Sequence, residues 1–109
     1  MMLILFRSKL LPTAGEDYGT MAAEMETHAR SFDGFVDVKA YLAEDGERLT
    51  VVWWRDAESL AKWKNDARHR VAQQNGRARW YEYYRMDVAE IVRQTEFTPS
   101  YAAPASLST

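Results

Sequence analysis

A chain of 109 residues, 47% hydrophobic and 28% charged, is long enough for one domain with a buried core. Its net charge of −2 supplies no field to draw in nucleic acid or an anionic membrane, and the absence of cysteine excludes disulfides, thiolate metal sites and a cysteine nucleophile. The opening MMLILF is too short for a signal core and runs straight into Arg7 and Lys9; no other run spans a bilayer, so a cytoplasmic protein is expected.

Met2 to Lys9 alternates as a strand does, with Met2, Ile4, Phe6 and Ser8 on one face and Leu3, Leu5 and Arg7 on the other. Pro12 to Gly15 breaks it. From Glu16 to Phe32 the apolar positions Tyr18, Met21, Ala22, Met25, Ala29 and Phe32 repeat every 3.6 residues, which predicts a first helix whose acidic start suits its dipole. His28 lies beside that stripe near the C-terminal end and reads as structural. After the Asp33-Gly34 turn, Phe35 to Leu42 places Val36, Val38, Ala40 and Leu42 opposite Phe35, Asp37, Lys39 and Tyr41. Glu44-Asp45-Gly46-Glu47 is a hairpin signal leading into a strand over Arg48 to Arg55; its acidic cluster reads as a solvated hairpin tip and not as a metal site.

The stretch from Trp53 to Tyr84 holds all four tryptophans, three of the six tyrosines and one of the two histidines. Asp56 is a good N-cap, and Ala57, Leu60 and Ala61 give an apolar helical face with Trp63 at its edge. Asn65-Asp66 ends that helix and restarts another. In the second, Ala67, Val71 and Ala78 form one stripe, while His69, Gln73, Gly76 and Trp80 share nearly the opposite side. Helical spacing of aromatics usually means packing, but this set of side chains also suits a pocket wall. The basic residues interleaved here flank the apolar stripe on both edges instead of forming one track, so nucleic acid is not expected. A last strand is predicted over Tyr84 to Thr95, and residues 98–109, poor in charge and rich in Ala, Ser and Pro, form a tail that is flexible or lies on a partner.

The order is thus β-α-β-β-α-β over residues 1–97: an α+β, ferredoxin-like domain with a four-stranded antiparallel sheet and its helices on one face. Three strands carry apolar residues on both faces, so the second face needs a cover, and a homodimer is expected. The ordered set Trp54, Trp63, His69, Gly76, Trp80-Tyr81 and Tyr84, within about Met2 to Phe97, resembles the antibiotic-biosynthesis monooxygenase (ABM) family of dimeric α+β barrels.

That resemblance implies two chemistries. One is cofactor-independent oxygenation by O2 of a small aromatic or quinol-like molecule, with His69 as candidate base and Trp54, Trp63, Trp80 and Tyr81 lining an apolar slot. The other is oxidative haem breakdown, for which members use an Asn on the first strand, a Trp on the second helix and a haem-ligating His. Trp63 matches the Trp, but Ser8 stands in place of the Asn and Gln73 in place of the His, which disfavours haem. A non-catalytic dimer that binds a small apolar ligand is the remaining alternative. No cofactor and no metal are expected.

Overall fold

The computed structural model describes residues 1–66, 69 and 79–99. Four strands and two helices follow one another as β1 (Met2–Leu10), α1 (Glu16–Arg30), β2 (Phe35–Leu42), β3 (Arg48–Trp54), α2 (Ala57–Lys64) and β4 (Tyr81–Glu90). The strands form one antiparallel sheet in the order β2-β3-β1-β4, the ferredoxin-like arrangement. β1 and β3 are central, where near-continuous apolar sequence is tolerated on both sides. Among the described residues no helix is long and apolar enough to cross a membrane.

Register assigns each strand residue to a face. Opposite pairs Met2↔Trp54, Ile4↔Val52 and Phe6↔Thr50 join β1 to β3, and Val38↔Val52 and Ala40↔Thr50 extend that face into β2. Phe6↔Met86 and Ser8↔Tyr84 extend it into β4. This is the face under the helices. Ile4, Ala29, Trp54, Leu60 and Trp63 form its core, with Met2, Met25, Phe32, Phe35, Val52 and Met86 packed around them. Trp54 stacks on Trp63 at 5.9 Å between ring centroids, and Phe32 and Phe35 meet Trp54 edge-on at 6.3 and 5.8 Å.

Several expected details are corrected. A register shift between Phe35 and Asp37 swaps the start of β2: Phe35 turns into the core and Val36 outward, 46% exposed, the reverse of simple alternation. α1 stops at Arg30, where the backbone N–H of Ser31 donates to the His28 carbonyl and that of Phe32 to the Ala29 carbonyl, so Phe32 enters the core from a turn. α2 buries Ser59, Leu60 and Trp63 and leaves Ala57 and Ala61 exposed, because the indole, far larger than either alanine, takes the core position. β4 begins three residues earlier than expected, since β1 runs to Leu10 and offers Tyr81 a partner; it ends at Glu90, opposite Met2, where β1 runs out. The stripes expected over residues 67–78 lie, apart from His69, outside the described residues.

Two turns place the helices. Gly34 has φ +94°, and a Cβ there would lie 2.0 Å from Ser59 Oγ, so the turn before β2 presses against the first turn of α2. Asp56 caps α2 by accepting from Ser59 N at 2.8 Å. That amide, the Ser59 hydroxyl and then Arg55 hold the Asp56 carboxyl down at about 2. Arg55 also forks onto both carboxylate oxygens of Asp33 at 3.2 Å, tying the same turn to the helix.

Candidate functional site

Between the sheet and α1 lies a cavity of about 530 Å³. Its floor is the helix-side face of the sheet: Ile4 and Phe6 of β1, Val38 and Ala40 of β2, Thr50 and Val52 of β3, Tyr84 and Met86 of β4. Its roof is the 3.6-residue stripe of α1, Tyr18, Met21, Ala22, Met25 and Ala29, together with Gly19, beside whose Cβ position the described residues leave open space. Trp63, His69, Trp80 and Tyr81 close it. Gly19, Ala22 and Ala29 in the roof and Val38, Ala40, Thr50 and Val52 in the floor leave this gap where larger side chains would fill it.

Four of the seven residues singled out from the sequence therefore meet around one space: Trp63, His69, Trp80 and Tyr81. Trp54 is 0% exposed and Ser8 2% exposed; both are buried on the same side of the sheet but neither borders the cavity. Gln73 lies outside the described residues.

His69 packs its ring 4.7 Å from the Trp63 indole. Its backbone N–H donates to Asp66 Oδ1, three residues back along the chain, at 3.2 Å. Burial lowers the His69 pKa below its ordinary 6.5, against a smaller opposing pull from Asp66. At neutral pH the ring is an uncharged imidazole, able to accept a proton.

The same Asp66 oxygen lies 3.1 Å from His28 Nε2, close enough for an ion pair but off the line of a hydrogen bond. His28 packs in turn on Phe32 and Trp63, at 5.2 and 5.7 Å. His28 and Asp66 thus support the site from behind Trp63. Sequence pattern left His28 without a neighbour because Asp66 reaches it across the fold, 38 positions along the chain.

At the other end an aromatic group forms around Tyr81. Tyr18 meets Trp80 and Tyr81 edge-on at 5.7 and 5.9 Å; Phe6 and Tyr84 stand 5.7 Å from Tyr81. Burial, then Tyr18, pushes the Tyr81 pKa well above its usual value, so it remains a neutral phenol. Trp80 is 3% exposed, and its indole N–H donates to Asp17 Oδ2 at 3.1 Å, with Arg79 paired to the same carboxylate. The acidic first turn of α1, read from sequence as dipole compensation, also anchors a wall of the cavity. Tyr18, Asp17 and Asp66 carried no signal of their own in the sequence beyond helix periodicity and capping.

The sheet, the two helices over one face and the partly enclosed, mostly apolar space between them define a small α+β protein of the ferredoxin-like class. The model of the antibiotic biosynthesis monooxygenase family matches residues 1–75, and the chain belongs to that family. It is 34% identical over 80 residues to the uncharacterised protein YqjZ of Bacillus subtilis, covering 73% of this chain and 70% of that one. It is also 30% identical over 93 residues to the jasmonate monooxygenase ABM of Pyricularia oryzae, covering 84% of this chain but 43% of that protein's length. Among solved structures it superposes on SnoaB, a cofactor-independent oxygenase of Streptomyces nogalater, with a TM-score of 0.71 and 14% identity, over 86% of this chain and 94% of that one.

Proposed function

We propose that the protein is a monooxygenase that oxidises a small, mostly apolar, aromatic or quinol-like molecule with O2 and without a cofactor. The observation that carries this reading is the neutral, half-buried His69 against Trp63 in the wall of an apolar cavity. A phenolic substrate held there gives its hydroxyl proton to His69. The resulting anion is electron-rich enough for a ring carbon to bond to one oxygen atom of O2, and the hydroperoxide so formed loses water. In sum, one phenol and one O2 give one quinone and one water; every electron comes from the substrate, and His69 returns its proton. Tyr81, kept protonated, serves as a hydrogen-bond donor, and Trp80 and Phe6 offer flat apolar surfaces.

The description of SnoaB as cofactor-independent and the name of the Pyricularia oryzae relative support the reading. Haem has no assigned place in it: Ser8, where haem-degrading members carry Asn, is buried outside the cavity wall. We also infer a homodimer through the outer sheet face. There β1 and β3 present Leu3, Leu5, Leu49, Val51 and Trp53, while the edge strands carry Asp37 and Lys39 on one side and Arg85 and Asp87 on the other. An apolar centre with a charged border is the anatomy of an interface between copies of a chain. The catalytic test is oxygen uptake by chelator-treated protein with a panel of phenols and quinols. One O2 consumed per product, abolished or slowed about 100-fold or more in His69→Ala, supports the proposal. Tight ligand binding with no uptake would replace it with a binding protein that has no catalytic step.

A further inference from the structure

The charges around the cavity are unequal, and one of them has no counterpart among the described residues. Glu26 borders the roof, but Arg30 holds its carboxylate at 3.2 Å from one turn along α1. Lys39 borders the floor from a position opposite Val51, so its side chain belongs to the outer face, where its ammonium lies over the Tyr41 ring at 5.8 Å. Burial disfavours a charge on both His69 and Tyr81. Arg48 differs. It lies on the helix side of β3, opposite Ser8 and Leu42, and is exposed. Its guanidinium makes no hydrogen bond or ion pair among the described residues, and its field reaches Tyr81.

Along that side of β3 the residues run Arg48, Thr50, Val52, Trp54, from exposed to 0% exposed. The cavity is therefore open beside Arg48 and closed where Trp54 stacks on Trp63, the end that also holds His69. At about 3.3 Å per residue, Thr50 lies about 7 Å and Val52 about 13 Å inward from Arg48. From these positions we infer that Arg48 is a specificity-determining residue that binds the anionic end of the substrate, which is then an apolar acid: a carboxylate at the mouth and an aromatic body reaching towards His69. A planar guanidinium that meets no acceptor among the described residues matches a carboxylate in two-point contact. This assignment rests on the cavity being the substrate site.

The test compares 4-phenylbutyrate with its methyl ester by calorimetric titration of the full chain. Wild type should bind the acid about ten-fold more tightly than the ester, a preference that shrinks as ionic strength rises. Arg48→Gln should bring the acid down to the ester's affinity and leave the ester unchanged; Arg48→Lys should keep part of the preference. Arg48 is exposed, so both variants should unfold at the wild-type temperature. Equal binding of acid and ester by wild type, or a preference that survives Arg48→Gln, would overturn the assignment and leave the cavity reading standing. If neither probe binds, the cavity reading falls and the assignment with it.

Discussion

His69 takes its character from two neighbours that act against each other. Burial beside Trp63 disfavours its charged form, while Asp66 favours it, and burial is the larger effect. A histidine whose folded pKa lies below 6.5 binds fewer protons folded than unfolded in the window between the two values. Its contribution to stability is complete above about 6.5 and is lost as pH falls through that window to the folded value. Denaturant titrations at a series of pH values should show this slope in wild type and a shallower one in His69→Gln; identical slopes would mean that the imidazole is not desolvated. Trp80 is a second single-residue case, because its ring is both buried and part of the cavity wall. Truncation to alanine should cost about 3–5 kcal/mol in urea unfolding. A loss below about 1 kcal/mol would show that the indole packs less tightly than its burial indicates.

At the scale of elements, the contact of Gly34 with α2 decides how the helix is set on the sheet. Alanine at position 34 meets two obstacles, a left-handed backbone at φ +94° and a Cβ 2.0 Å from Ser59 Oγ. Gly34→Ala should cost at least about 2 kcal/mol, and adding Ser59→Gly should recover the part due to collision but not the part due to the backbone. Full recovery in the double variant would show that the dihedral carries no penalty. Much of this level was legible in the chain. The alternation of β1 and β3, the α1 stripe that became the cavity roof and the Asp56 cap all follow from local periodicity and hydrogen-bonding chemistry. What was not legible depends on partners distant in sequence. The length of β1 sets where β4 starts and stops, a bulge at Phe35 reverses two side chains, and the size of Trp63 overrides the alanine face of α2. The site divides the same way: aromatic residues and His69 marked the region, but only the fold separates Trp54, a core residue, from Trp63 and Trp80, which border the space. Arg48 gave no signal at all, since an arginine after a hairpin turn is ordinary.

The whole molecule has one sheet face under helices and another on which apolar residues of the central strands meet charged edge strands. For the inferred homodimer, sedimentation at micromolar concentration should give twice the chain mass, and Leu5→Asp, in the middle of the outer face, should give a monomer. A wild-type monomer with an intact sheet would remove the dimer from the account. The central claim, that O2 is split between a cavity-bound substrate and water, is tested most directly by isotope. Turnover under ¹⁸O2, quenched before carbonyl exchange and read by mass spectrometry, should place one heavy oxygen atom in each product molecule, with none entering from H2¹⁸O. Product oxygen drawn from water, or product formed equally well by His69→Ala, would contradict it.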